Sequence, residues 1–196
     1  MLHIRQIRES DASALRAVLD SVCRERRFLA MLEAPPIERF QAFVSENVRR
    51  GLPQVVAVEE ERIIGWCDVL PGDSMVGTAH VGRLGMGVLK EYRGQGIGKR
   101  LVQATIEQAK ALGLEKIELS VYASNEAAIA LYRKLGFREE GRKLRGRLVD
   151  GKYDDVVLMG FDLIRTTQSP SSPPPTATPC ARTGGKSPLN IRRKNV

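Results

Sequence analysis

A chain of 196 residues with 42% hydrophobic and 28% charged residues has the composition of one ordinary globular domain, or at most two small ones. No run of about 18 apolar residues occurs, which argues against a membrane-spanning helix. The opening MLHIRQIRES lacks an apolar signal region and a small-residue cleavage site, so a cytoplasmic location without membrane attachment is expected. The net charge of +8 misrepresents the folded part: the last 32 residues hold six Lys and Arg and no acid, and the first 164 hold 25 basic against 23 acidic side chains. A nucleic-acid partner is not expected from so even a balance. Cys23, Cys67 and Cys180 are scattered and fit neither a disulfide framework nor a metal-ligand spacing, so no metal is expected.

In chain order, HIRQIR reads as a first strand, and Ser10 or Asp11 can cap a helix running to about Cys23. Pro35 and Pro36 stand where a second helix begins, ending near Arg50. QVVAVE and RIIGWCDVL read as two strands joined by a short acidic turn, and a longer strand runs from about Ala79 to Val88. After a glycine-rich stretch, Val102, Ile106 and Ala109, widened by Ile97 and Leu101, form one apolar helical face that ends near Leu112. KIELSV is the next strand, and a helix spans about Asn125 to Leu135. Two arms, 137–149 and 152–163, flank Asp150-Gly151, a strong two-residue hairpin turn. The order βααβββαβαββ predicts an α/β domain over residues 1–164, with a single mixed central sheet and helices on both faces. Residues 165–196 contain six of the ten prolines and almost no large apolar side chains, and are expected to be a disordered basic tail.

The stretch EYRGQGIGKRL, residues 91–101, lies between a strand and a helix. A helix N-terminus leaves N–H groups unpaired and carries partial positive charge, which suits an anion and phosphate above all. Gly94, Gly96 and Gly98 let such a group approach the backbone, and Arg93 and Lys99 add formal charge. The Walker pattern fails: Arg100 stands where Ser or Thr is needed, and Arg93 where the first glycine is needed. The dinucleotide fingerprint fails because the third glycine comes one residue early.

Arg93, Gly96 and Gly98, set in LGMGVLKEYRGQGIGKRL, together with VYASNEAAIALYRKLGF at 121–137, resemble the GNAT superfamily of N-acetyltransferases. The likeness covers residues 1–164 and favours a bacterial subgroup acting on amino acids and small molecules. Lys90 departs from it, where members often have proline. The resemblance implies acetyl-CoA as co-substrate. Its pyrophosphate would lie on Arg93, Gly94, Gln95, Gly96, Ile97, Gly98 and Lys99. Its pantetheine arm would lie between two splayed strands, beside Met86, Gly87 and Val88, with Asn125 and Ala128 at the next helix start. Gly85 and Gly87 are poor strand residues and agree with a bulge or a close backbone approach there.

The implied reaction is direct attack by a primary amine of a small molecule or peptide through a tetrahedral intermediate. A backbone N–H near Met86 or Val88 would stabilise the oxyanion. Tyr132 matches the superfamily's proton donor, although its helical spacing with Ala128, Leu131 and Leu135 also suits a core face. Asn125 also reads as a helix cap. His80 and Glu118 are the candidate bases. Phe28, Glu33 and Phe40 are candidates to line an acceptor pocket, and Cys67 reads as a buried small residue. A non-catalytic acyl-CoA-binding module on the same fold is the alternative, and the sequence leaves monomer and homodimer both open.

Overall fold

The computed structural model describes residues 1–72 and 76–164. The expected tail from residue 165 lies outside the described residues. The elements are β1 His3–Gln6, α1 Ala12–Arg24, α2 Ile37–Arg49, β2 Gln54–Glu59, β3 Arg62–Pro71, β4 Val81–Val88, α3 Ile97–Ala111, β5 Lys116–Tyr122, α4 Glu126–Lys134, β6 Arg138–Val149 and β7 Lys152–Asp162. The strands form one mixed sheet in the order β1-β2-β3-β4-β5-β7-β6. The predicted α/β class and element order are those observed.

Local chemistry accounts for most boundaries. The β6–β7 turn has φ of 52° at Asp150 and 73° at Gly151, the left-handed pair that a tight hairpin requires. β4 begins at Val81 rather than Ala79 because residues 76–78 form a 3₁₀ turn before it. Asp11 precedes α1, but its carboxylate does not cap the helix. It accepts instead from Arg8 N at 2.7 Å and from both terminal nitrogens of Arg5 at 2.6 and 2.8 Å. A bidentate guanidinium is a stronger partner than a helix amide.

The helices cover opposite faces of the sheet. The alternation of β3 shows this: Trp66, Asp68 and Leu70 line a cavity with α1 and α2, whereas Gly65 and Cys67 face Leu101 and Thr105 of α3. The apolar face read in α3 is buried: Ile97, Leu101, Val102, Ile106 and Ala109 are all inaccessible. Each large side chain among them stabilises the fold by about 1.5–3 kcal/mol.

One irregularity in the sheet positions the site. β4 and β5 are the parallel pair, and they match only at Val81–Lys116, Gly82–Ile117 and Arg83–Glu118. Beyond Arg83, β4 stays on β3 as far as the Gly65–Val88 pair, and β5 stays on β7 as far as Tyr122–Val156. A wedge-shaped gap opens between them.

Gly65 shows how closely β3, β4 and α3 approach: a Cβ there would stand 2.9 Å from the Gly87 carbonyl oxygen and 3.4 Å from Leu101 Cδ1. Gly65→Ala should destabilise the fold by about 1–3 kcal/mol through overpacking, measured by thermal or denaturant unfolding.

Candidate active site

The glycine-rich loop runs from the end of β4 into α3. Gly94 and Gly96 have φ of 77° and 78°, and nothing lies within 4 Å of a Cβ built on either. Backbone conformation therefore requires glycine at these two positions. Gly98 has a different reason: its Cβ would press on Met86 Cε at 3.1 Å and Leu131 Cδ2 at 3.2 Å, so it lets α3 pack against β4 and α4. The backbone N–H groups from Gly94 through Lys99 find no acceptor among the described residues. At the N-terminus of α3 such unpaired N–H groups suit an anion, with Ile97 anchoring the turn in the core and Lys99 and Gln95 exposed beside it.

Arg93 contributes less charge to the cradle than its sequence suggests. Its Nε donates to the Val88 carbonyl at 2.8 Å, its terminal nitrogens pair with the Glu25 carboxylate, and its guanidinium lies 4.8 Å from the centre of the Phe28 ring. It ties the α1–α2 loop to the glycine loop. That connecting loop is also held from the other side, where Arg26 pairs with Asp150 of the hairpin turn at 2.5 Å and Arg147 donates to the Arg26 carbonyl at 2.7 Å.

The gap between β4 and β5 leaves backbone groups unpaired. Leu89 N–H donates to Ile64 and the Val81 carbonyl accepts from Gly72, so odd-numbered residues of β4 face β3. By alternation, Met86 turns its N–H and C=O and Val88 its N–H toward the gap, while the Val88 carbonyl accepts from Arg93 Nε. At the far side of the gap, Asn125 caps α4, with Oδ1 accepting from Ala128 N at 3.3 Å. Its amide nitrogen has no partner among the described residues, so the cap and a ligand contact are compatible.

Tyr132, on α4, is 6% exposed and its ring meets that of Phe137 with centroids 5.5 Å apart. Burial, reinforced by neighbouring Cys67, pushes its phenol pKa up, so it holds its proton firmly. Cys67 is opposite Met86 in the β3–β4 ladder, which brings Tyr132 to the helix-α4 side of the same β4 segment. The two readings of Tyr132, core residue and proton donor, are thus compatible. Cys67 is fully buried with its thiol pKa also pushed up by burial, as expected for an inert side chain.

The opposite side of β4 faces a largely apolar cavity of about 440 Å³ between α1, α2 and β3. Phe40 lines it, as the sequence suggested. Phe28 stacks on Arg93 instead, and Glu33 is exposed near Arg24 at 3.9 Å. A carboxylate singled out by no sequence motif, Asp68, lies at the cavity's inner wall. It is half-buried and pairs in register with Gly85, where a Cβ would stand 3.1 Å from Asp68 Oδ1. Burial pushes its pKa from 3.8 up to about 7, opposed by a hydrogen bond from the Trp66 side chain. The available signal was an acid in the middle of the apolar strand RIIGWCDVL.

Of the two bases named from sequence, His80 is placed away from the Gly85–Val88 segment and Glu118 at the edge of the gap. His80 is exposed just before β4, and its carbonyl accepts from the N–H groups of Glu115 and Lys116, where β4 and β5 are still joined. That is roughly 16 Å of strand from Gly85, at about 3.3 Å per residue. Glu118 is at the apex of the gap in a second recess with Arg83 and Glu140, where Lys116 pairs with both Glu118 and Glu140 at 2.9 Å. Among the described residues no group of three or more His, Cys, Asp and Glu is arranged to hold a metal ion, and no helix is long and apolar enough to cross a membrane.

A model of the acetyltransferase (GNAT) family matches residues 16–137. The chain belongs to this family. It is 31% identical over 134 residues to an L-methionine sulfoximine/L-methionine sulfone acetyltransferase of Pseudomonas aeruginosa, covering 66% of this chain and 76% of that one. It is 30% identical over 112 residues to an L-amino acid N-acetyltransferase of Escherichia coli, covering 57% and 68%. A GNAT-family acetyltransferase structure from Streptococcus pneumoniae superposes with a TM-score of 0.77 at 30% identity, covering 83% of this chain and 99% of that chain. A phosphinothricin acetyltransferase from Sinorhizobium meliloti, solved with acetyl-CoA, shares the fold with a TM-score of 0.79 at 21% identity, covering 91% and 96%. The protein is an acetyl-CoA-dependent N-acetyltransferase. The orphaned N–H groups of residues 94–99, the gap and the free Asn125 amide suit a long ligand with phosphate at one end.

Two predictions test this N-acetyltransferase site. Gly96→Ala forces a left-handed residue to carry a Cβ, at about 1–2 kcal/mol. Acetyl-CoA affinity measured by calorimetry should fall by about tenfold. For Asp68, the folded state raises the pKa, so the carboxyl's contribution to stability is full at low pH and is lost as pH rises through about 7. Asp68→Asn lacks that loss. The Tm of the variant minus that of the wild type should therefore grow between about pH 4 and pH 8; a pH-independent offset would contradict it.

Proposed function

We propose that this enzyme transfers the acetyl group of acetyl-CoA to the primary amine of a small molecule with an apolar body, by direct attack on the thioester. The observation that carries this reading is the arrangement around β4. The phosphate cradle is at its C-terminal end, and the cavity opens on its Gly85–Met86 segment from the other face. Leu15, Leu19, Phe40, Phe43 and Trp66 supply the cavity's apolar lining, and Arg39, exposed at its rim with no ion-pair partner among the described residues, suits an acceptor that also bears a carboxylate. The Pseudomonas and Escherichia relatives, whose names specify amino-acid substrates, support that class.

In this mechanism Gly94–Lys99 hold the pyrophosphate and the gap between β4 and β5 takes the pantetheine arm. The backbone N–H groups of Met86 and Val88 are the donors available to a developing oxyanion. Tyr132 gives a proton to the departing sulfur. Its raised pKa keeps it protonated across the neutral range, which a donor requires. Retention of this tyrosine beside the cradle and a formed acceptor cavity disfavours a merely acyl-CoA-binding role.

The experiment is a screen of apolar amino acids, simple amines and short peptides, with thiol detection of released CoA. Apolar amino acids should give the highest kcat/KM, and turnover confined to peptides would reject the small-molecule assignment. Tyr132→Phe should bind acetyl-CoA as the wild type does and lose turnover by well over tenfold; unchanged turnover would remove Tyr132 as the acid.

A further inference from the structure

We propose that Asp68 is the general base of this enzyme, taking the proton from the acceptor's ammonium group within the cavity between α1, α2 and β3. The inference rests on the N-acetyltransferase reading above and adds the group that makes the acceptor nucleophilic. An amine with an ordinary pKa near 10 is almost wholly protonated at neutral pH and cannot attack until it loses that proton.

The position of Asp68 is the first support. It pairs with Gly85, two residues beyond the last β4–β5 pair, so its carboxylate lies over bare backbone where the strands have just parted. Gly85 and Gly87 present no side chain on this face, and the charged residue of β4 that shares it, Arg83, is exposed in the recess at the apex of the gap and forms no ion pair with Asp68 among the described residues. The carboxylate and Tyr132 approach the same short segment of β4 from opposite faces.

Its surroundings are the second support. α1 brings Leu15 and Leu19 to the cavity, and β2 brings Gln54, whose amide oxygen is taken by Asn47 at 3.0 Å. α2 brings Arg39, the only other charged group lining the cavity among the described residues, and it is exposed at the rim. β3 itself contributes the Trp66 hydrogen bond. No cation pairs with Asp68 among the described residues, so a substrate ammonium would be its natural counter-ion. The same isolation brings its affinity for a proton near neutrality, where a base works best.

The protons balance. The ammonium loses one proton to Asp68, and the neutral nitrogen forms the C–N bond as the carbonyl electron pair moves to oxygen. On collapse the C–S bond breaks and its pair stays on sulfur, which takes a proton from Tyr132. The nitrogen's surplus proton restores the tyrosine, and Asp68 releases its own to water. The net products are the acetamide, free CoA thiol and one proton.

The test compares wild type and Asp68→Asn with two acceptors that fit the cavity. One is an alkylamine, protonated at pH 7; the other is an aryl amine, already neutral there. For the alkylamine, kcat/KM at pH 7 should fall by roughly 10²–10³ in the variant, and the deficit should shrink about tenfold per pH unit as free amine accumulates. For the aryl amine the loss should be within about threefold, and acetyl-CoA affinity should not change. As an independent arm, Trp66→Phe removes the hydrogen bond that favours the charged carboxylate, so the acid limb of the alkylamine profile should move to higher pH. Equal losses for both amines, or a variant profile parallel to that of the wild type, would overturn the assignment while leaving the N-acetyltransferase reading intact. Wild-type enzyme that acetylates no amine would overturn both.

Discussion

The site depends on the failure of β4 and β5 to stay paired. Three residue pairs join them, and then each strand follows its other neighbour, β4 on β3 and β5 on β7. Because those antiparallel ladders are complete on the outer sides, the strands part without either becoming loose. The gap exposes main-chain groups that a sheet would normally satisfy, and buried backbone groups demand a partner. An extended ligand with its own amides meets that demand. Met86 and Gly98 help keep the arrangement, since the methionine side chain packs where the helix after the loop approaches most closely.

β4 then acts as a thin partition between two chemical environments. Its even-numbered residues turn their amides to the gap, and its odd-numbered positions on the cavity side include Gly85 and Gly87. The glycines are needed because Asp68 and Trp66 occupy the space in which side chains would stand. Formal charge near the partition is sparse and placed with purpose. Arg93 pairs with Glu25, and Lys116 is shared by Glu118 and Glu140. Asp68 stands without an ion-pair partner among the described residues in a half-buried wall, which costs stability as pH rises through about 7. Functional sites commonly carry perturbed groups of this kind. The α1–α2 loop is fastened to both the glycine loop and the hairpin turn, through Arg93 and Arg26.

Much of this was legible in the chain. The apolar face of α3, the Asp150-Gly151 turn and the glycine loop all follow from short-range spacing, and each forms where it was read. Tyr132 was legible only because its segment resembles a family motif, since periodicity by itself made it a core residue. Asp68 is an unusual acid within RIIGWCDVL, but the strand's sequence does not show that no cation reaches it, since that depends on the helices packed over it. His80 and Glu118 were read as bordering a cleft, yet a strand's sequence does not say at which end of it the cleft opens. Glu33 and Phe28 were read from their loop, where only the fold decides which side chains turn inward.

Backbone constraints are local, and so the sequence alone determined the strand–turn–helix of the glycine loop, the left-handed glycines within it and the α/β order around it. Burial and charge pairing are not local. Glu25 neutralises an arginine 68 positions away, Gly85 and Asp68 meet across two strands, and a carboxylate's proton affinity depends on the dielectric that distant helices build around it. Only the tertiary structure could decide which of the chain's acids stands unpaired at the cavity wall, because that is a property of everything folded around it.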